Sequence, residues 1–192
     1  MLAAGFVAVA PGCGGAPEAQ APSSAAPAAA SRDASTPGAP AGPEDARLQK
    51  VLDTFVARYL ERAPVEATQL GDHTRDGAWP DWSQAGVDAT AQLYAETRAE
   101  LAAIGQEGLS LEAKVDAHTV AHSLAYLLFR LRDERRHETD PLLYTALLGD
   151  GLDPLVTRSF APLADRVTSL TARLAGIPAV VATAKANLRR AP

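Results

Sequence analysis

His118-Thr119-Val120-Ala121-His122 is the segment whose residue types and spacing come nearest to chemistry. Two imidazoles at positions i and i+4 of a helix share one face, as on zinc-binding helices. Thr119, however, stands where the Glu of an H-E-x-x-H motif would act as base. The nearest preceding carboxylate, Asp116, points to another side of the helix. A mononuclear zinc site needs at least a third protein ligand. The remaining histidines are His73, in a loop, and His137, past the helix end. The competing reading makes His118 and His122 flank the apolar stripe near Val115 and Phe129, hydrogen-bonded or partly exposed. The pair therefore stands as a weak metal candidate, with no metal site assigned.

Two other groups could do chemistry. Arg130, Arg132, Arg135, Arg136 and His137 form a basic run broken by Asp133 and Glu134. Cations at a helix C-terminus complement the macrodipole, so a solvated face explains them; docking of phosphate or anionic lipid is the alternative. Asp72, His73, Asp76 and Asp81 share one loop with Trp79 and Trp82. Local turn hydrogen bonds account for the carboxylates. The tryptophans either plug against the helices or mark the rim of a substrate site. The chain has no G-x-S-x-G, no glycine-rich phosphate loop and no C-x-x-C. Ser123 follows His122, but helix neighbours point about 100° apart, so they form no dyad. No catalytic residue is identified.

These residues must be positioned by helices. Leu48, Val51, Leu52, Phe55, Val56 and Tyr59 recur at steps of three and four, with Glu44 and Asp45 at the start. Pro64 stops that helix, and Pro64 to Gly71 reads as a short second one. Asp72 to Trp82 is a loop. Ser83 caps a helix to about Ile104, with Val87, Tyr94, Leu101 and Ile104 on its apolar face and Gly105 closing it in the left-handed manner. Ser110 caps the next, from Leu111 to about Arg135, with the stripe Ala117, Ala121, Leu124, Leu128 and Leu131. Pro141 and Pro154 are expected to open two short helices behind the caps Asp140 and Asp153. Pro162 opens another, with Leu163, Val167, Leu170 and Leu174 at helical spacing, and Pro178 to Leu188 is the last. No alternating pattern predicts a strand. The expected fold class is all-α: amphipathic helices in a bundle-like array, the three longest antiparallel, preceded by a disordered N-terminal tether.

Composition agrees. The 192 residues are 47% hydrophobic and 5% aromatic, rich in Ala and Leu, which favours helix in a single domain. A net charge of −5 argues against a nucleic-acid partner, which needs a concentrated basic surface. No run of eighteen apolar residues predicts a membrane-spanning mature helix. Leu2 to Ala10 is apolar and is followed by Pro11-Gly12-Cys13, the layout of a lipoprotein-type signal over residues 1–13 with Cys13 as the lipidation candidate. The positively charged start of such signals is missing. A general secretion signal and an inert cysteine after a fortuitous apolar stretch are the alternatives. Residues 14–43 contain 25 Pro, Ala, Gly or Ser among 30 and are expected to form a disordered linker. Residues 44–192 are expected to form the helical domain.

Pro64-Val65-Glu66-Ala67-Thr68-Gln69-Leu70-Gly71-Asp72, Asp140-Pro141-Leu142-Leu143-Tyr144 and Arg173-Leu174-Ala175-Gly176-Ile177-Pro178 occur in that order. From Leu48 to Pro192 the chain resembles the bacterial domain-of-unknown-function family 885. The resemblance implies a secreted or lipid-anchored helical zinc peptidase of gluzincin type. In such a site two His and a Glu from H-E-x-x-H, plus an acidic ligand, hold zinc, which lowers the pKa of a bound water. These 192 residues contain no H-E-x-x-H, so no catalytic residue carries over. Zinc is implied for the full-length family, and no cofactor is expected in this chain.

The expectation is therefore the N-terminal helical scaffold portion of a longer domain, inactive alone. Its parent would be an exported, lipid-anchored zinc-dependent peptidase or hydrolase of the bacterial cell envelope, with unknown substrate. The expected partners are the remainder of the parent polypeptide or a peptide substrate, with membrane contact only through a lipid anchor. The alternative is a non-enzymatic helical lipoprotein acting as a binding or scaffolding module. Missing partners should leave apolar surface on the last helix, at Ile177, Val180, Val181 and Leu188.

Overall fold

The structure, a computed structural model, describes residues 42–188. Cys13 and nearly all of the 14–43 segment lie outside them. Every regular element among the described residues is helical, as the periodicity predicts. Helix α1 (Pro43–Arg62) begins with Pro at its first position and Glu44 and Asp45 in its first turn, which suit the positive end of the macrodipole. It ends before Pro64, the first residue of α2 (Pro64–Leu70). Gly71 closes α2 at φ 93, a left-handed conformation that disfavours other residues.

Helix α3 (Gln84–Ala102) starts where the Ser83 hydroxyl accepts from Gly86 N at 3.2 Å. Helix α4 (Leu111–Phe129) starts in the same way, Ser110 accepting from Ala113 N. Ser110 N also donates to Asp45 at 2.9 Å, tying the start of α4 to the start of α1. Leu48, Leu93, Tyr94, Leu101, Leu124 and Leu128 bury one core between α1, α3 and α4. Fully burying each such side chain contributes about 1.5–3 kcal/mol.

The second half departs from expectation. Gly105 lies at φ −67, so it does not close α3; the chain leaves through Ala103 and the buried Ile104, whose N–H bonds Leu101 O. Helix α4 runs on into a π-helical turn, Arg130–Glu134, which Arg135 breaks at φ 49. A short α5 (Arg136–Thr139) follows. Asp140 does cap a helix, α6, but α6 (Pro141–Thr157) passes straight through Pro154. The expected break behind Asp153 is absent. Helix α7 (Leu163–Asn187) likewise contains Pro178. An internal proline costs about 3 kcal/mol in an isolated helix. Burial of Gly151, Pro154 and Leu155 on α6, and of Arg173, Val180 and Ala184 on α7, offsets that cost where the two helices pack together.

Joining two expected short helices corrects another expectation. By length and composition α7 is long and apolar enough to cross a membrane. In the fold its middle is held instead by Arg173, which is 0% exposed. The stripe Leu163, Val167 and Leu174 faces outward, at 66%, 48% and 48% exposure, while Val180 is buried. Apolar exposure on the last helix therefore lies mainly in its first half, not at Val180.

Candidate functional site

The Arg173 guanidinium joins four segments. It donates to Ala78 O at 3.3 Å, to Pro64 O at 3.1 Å, to the Thr68 hydroxyl at 2.7 Å and to Gly151 O. Thr68 in turn donates to Asp76 at 2.7 Å, and Asp76, 4% exposed, also faces His73 at 3.0 Å. Burial pulls the Arg173 pKa down, and the charge of Asp76 opposes that. Trp79 lies against the guanidinium and donates from its indole nitrogen to Arg173 O at 2.8 Å. A Cβ at Gly176 would lie 2.6 Å from Trp79 Cδ1, and one at Gly151 would lie 2.6 Å from Cη2. Two glycines on two helices thus admit one indole. Trp79 is a plug, and the local turn bonds expected in its loop are present: Asp72 accepts from Thr74 N at 3.0 Å and Asp81 from Ser83 N at 2.8 Å.

Trp82 does something else. It lines a cavity of about 490 Å³ between α1, α2, α3, the end of α4, α5 and α6. That volume lies within the range of roughly 300–1,000 Å³ of small-molecule sites. Leu127 and Leu131 line it from one side and Leu143 and Leu147 from α6. Its polar groups include Glu66, Asp150, Arg62, Arg136 and His137.

His137 is 4% exposed, with its ring 6.2 Å from that of Trp82. Its carbonyl accepts from the Tyr144 hydroxyl at 2.8 Å, which fixes α5 against α6. Burial lowers the His137 pKa, partly countered by the Glu138 carboxylate, so the neutral ring is favoured. His137 Nε2 and Trp82 Nε1 are buried without a hydrogen-bond partner. Such groups are rare because each costs about 1–3 kcal/mol of desolvation.

Glu66 is exposed because water reaches it through the cavity, yet protein surrounds it on its other sides. That crowding, with Asp150 adding like charge, holds its carboxyl above the usual range. Burial, with Glu66 adding, pushes the Tyr59 hydroxyl up to about 12, and burial raises Tyr94 as well.

The residues singled out from the sequence lie mostly elsewhere. His118 and His122 are exposed on α4. Among the described residues no group of three or more His, Cys, Asp or Glu is placed to hold a metal, so these residues do not fit a zinc site. Ser123 donates to Thr119 O and makes no bond to His122. The basic run is divided: Arg130 pairs with Glu134, Arg135 with Glu138 and Arg136 with Asp140, while His137 turns inward. Glu66, Asp150 and Trp82 were missed as a group because their sequence separation hides their convergence.

The profile of a family described as a bacterial protein of unknown function (DUF885) matches residues 64–192. No curated protein matches the chain. A solved structure of a Shewanella oneidensis protein, described as a candidate lipoprotein of unknown function, is similar over 75% of this chain, with 25% identity and a TM-score of 0.69. The chain spans 26% of that protein's length.

Proposed function

This chain belongs to DUF885, a family of bacterial proteins of unknown function, and on that premise we propose that it is the N-terminal helical scaffold portion of an exported, lipid-anchored zinc-dependent peptidase or hydrolase. The observation that carries this reading is the coverage: a well-matched helical body corresponds to 26% of a much longer solved relative. The absence of H-E-x-x-H from the 192 residues places the metal ligands and the base in other polypeptide. This chain contributes the cavity, as a wall that receives substrate. The Cys13 anchor and the 14–43 tether are part of the same proposal, supported by the description of the Shewanella oneidensis protein.

The test compares the 192-residue chain with the polypeptide of its complete reading frame, using unblocked peptides with added zinc. Hydrolysis is expected from the longer polypeptide alone, and a chelator should abolish it. Zinc-dependent turnover by the 192-residue chain, or none by the longer one, would sink the proposal. One observation favours a second reading, a non-enzymatic binding module: the cavity has its own unpartnered buried ring nitrogens at His137 and Trp82. Ligand binding without turnover by either polypeptide would select it.

A further inference from the structure

The cavity is polar at both ends and apolar between them. One end is the ring pair Trp82 and His137, against Tyr144 of α6, whose ring is 6.5 Å from that of Trp82. The other end is Glu66 of α2 with Asp150 of α6. Neither carboxylate has an ion pair or side-chain hydrogen bond among the described residues. Asp150 lies six residues beyond Tyr144 on α6, which at 1.5 Å per residue separates the two ends by about 9 Å along the helix axis. Leu127, Leu131, Leu143 and Leu147 line the space between.

The two ends ask for opposite chemistry. An indole N–H only donates, so Trp82 requires an oxygen acceptor from a ligand. His137 Nε2 can donate to the same oxygen when its other nitrogen is the unprotonated one. Two unpaired carboxylates that repel each other require a cation, and a primary ammonium gives three donors. An extended peptide advances about 3.3–3.6 Å per residue, so about three residues bridge the two ends.

We propose that this cavity binds a short apolar peptide with free termini. Its ammonium sits between Glu66 and Asp150, and its carboxylate or last carbonyl accepts from Trp82 and His137. Ligand side chains pack on the four leucines. The inference rests on the reading of the cavity as the wall that receives substrate, but it requires no hydrolysis.

Calorimetric titration of the 192-residue chain with trileucine tests it. Saturable binding is expected, weakened about tenfold or more by N-acetylation of the peptide, and likewise by Glu66→Gln with Asp150→Asn. Amidation of the carboxyl end, and Trp82→Phe, should weaken it in turn. Glu61→Gln, outside the cavity, should not, and unchanged circular dichroism verifies that each variant folds. No saturable heat at millimolar trileucine, or an acetylated peptide that binds as well as the free one, overturns the proposal. The chain amphiphile ω-aminooctanoate shares the two charges and the apolar span; binding as tight as trileucine's would overturn the peptide assignment. Turnover by the longer polypeptide without binding here would sink this site alone, and binding here without turnover there would sink the peptidase alone.

Discussion

His137 shows how one residue can be misjudged from its neighbours in sequence. Four arginines and two acids surround it in the chain, which predicts a solvated position. The left-handed Arg135 and the Tyr144 bond to the His137 carbonyl turn the ring inward against Trp82. The cost of burying an imidazole fixes the sign of a pH effect. Its folded pKa lies below the ordinary value of about 6.5, so the unfolded chain binds the proton more readily. Stability contributed by His137 is complete above that value and is lost as pH falls through it. Thermal melts between pH 7.5 and 5.5 should show a decline that is shallower in His137→Phe. Glu66 acts in the opposite direction: its raised folded pKa makes the native state lose stability as pH rises through the carboxylate range. An equal slope in the wild type and His137→Phe would show that His137 is not the group responsible.

Helix α7 is held by one guanidinium and one indole rather than by the leucine stripe that its spacing displays. Arg173 reaches α2, the Ala78 loop and α6 at once, and Trp79 fits where Gly151 and Gly176 have no side chain. These contacts also explain why α6 and α7 continue through Pro154 and Pro178, since both helices are fixed from outside themselves. Removing a buried, fully bonded cation leaves Asp76 and several carbonyls unmatched. Arg173→Ala should cost about 3–5 kcal/mol by urea denaturation, the range for breaking one partner of a buried charge pair. Arg173→Lys should recover only part of this, because an ammonium cannot reproduce the planar fork. A loss of under about 1 kcal/mol, as for a surface ion pair, would mean that the hub is not a fastener. The segments that carry the family resemblance converge here: Pro64 and Thr68 accept from Arg173, and Gly176 makes room for Trp79.

At the scale of the whole molecule, two packed groups of helices leave an apolar band. Leu163, Val167 and Leu174 lie outward along the first half of α7. In a longer polypeptide this band is the surface offered to the remaining chain, as the N-terminal scaffold reading requires. The 192-residue chain should therefore bind a hydrophobic dye such as anilinonaphthalene sulfonate in its native state. The triple variant Leu163→Gln, Val167→Gln, Leu174→Gln should lose most of that signal while its melting temperature changes little. Dye binding that persists in the variant would place the exposed apolar surface elsewhere.

Much of the fold was legible because it is local. Steps of three and four mark α1, α3 and α4, and the caps Ser83, Ser110 and Asp140 each act within three residues of their helix. The same logic identified the absence of H-E-x-x-H and the missing third ligand beside His118 and His122. Pro154 and Pro178 were misread because a proline that opens a helix and one tolerated inside it look alike in sequence. Burial tells them apart, and burial is a tertiary property. The cavity was illegible for the same reason: Glu66, Trp82, His137 and Asp150 belong to four segments with no common period. The sequence by itself determined which segments are helices and that this chain lacks the motif of a zinc peptidase, since both depend on residues close together in the chain. Only the tertiary structure decided which faces those helices bury, where a buried arginine stands in for a leucine stripe, and which distant polar groups share a cavity. Those outcomes depend on competition for burial across the whole fold.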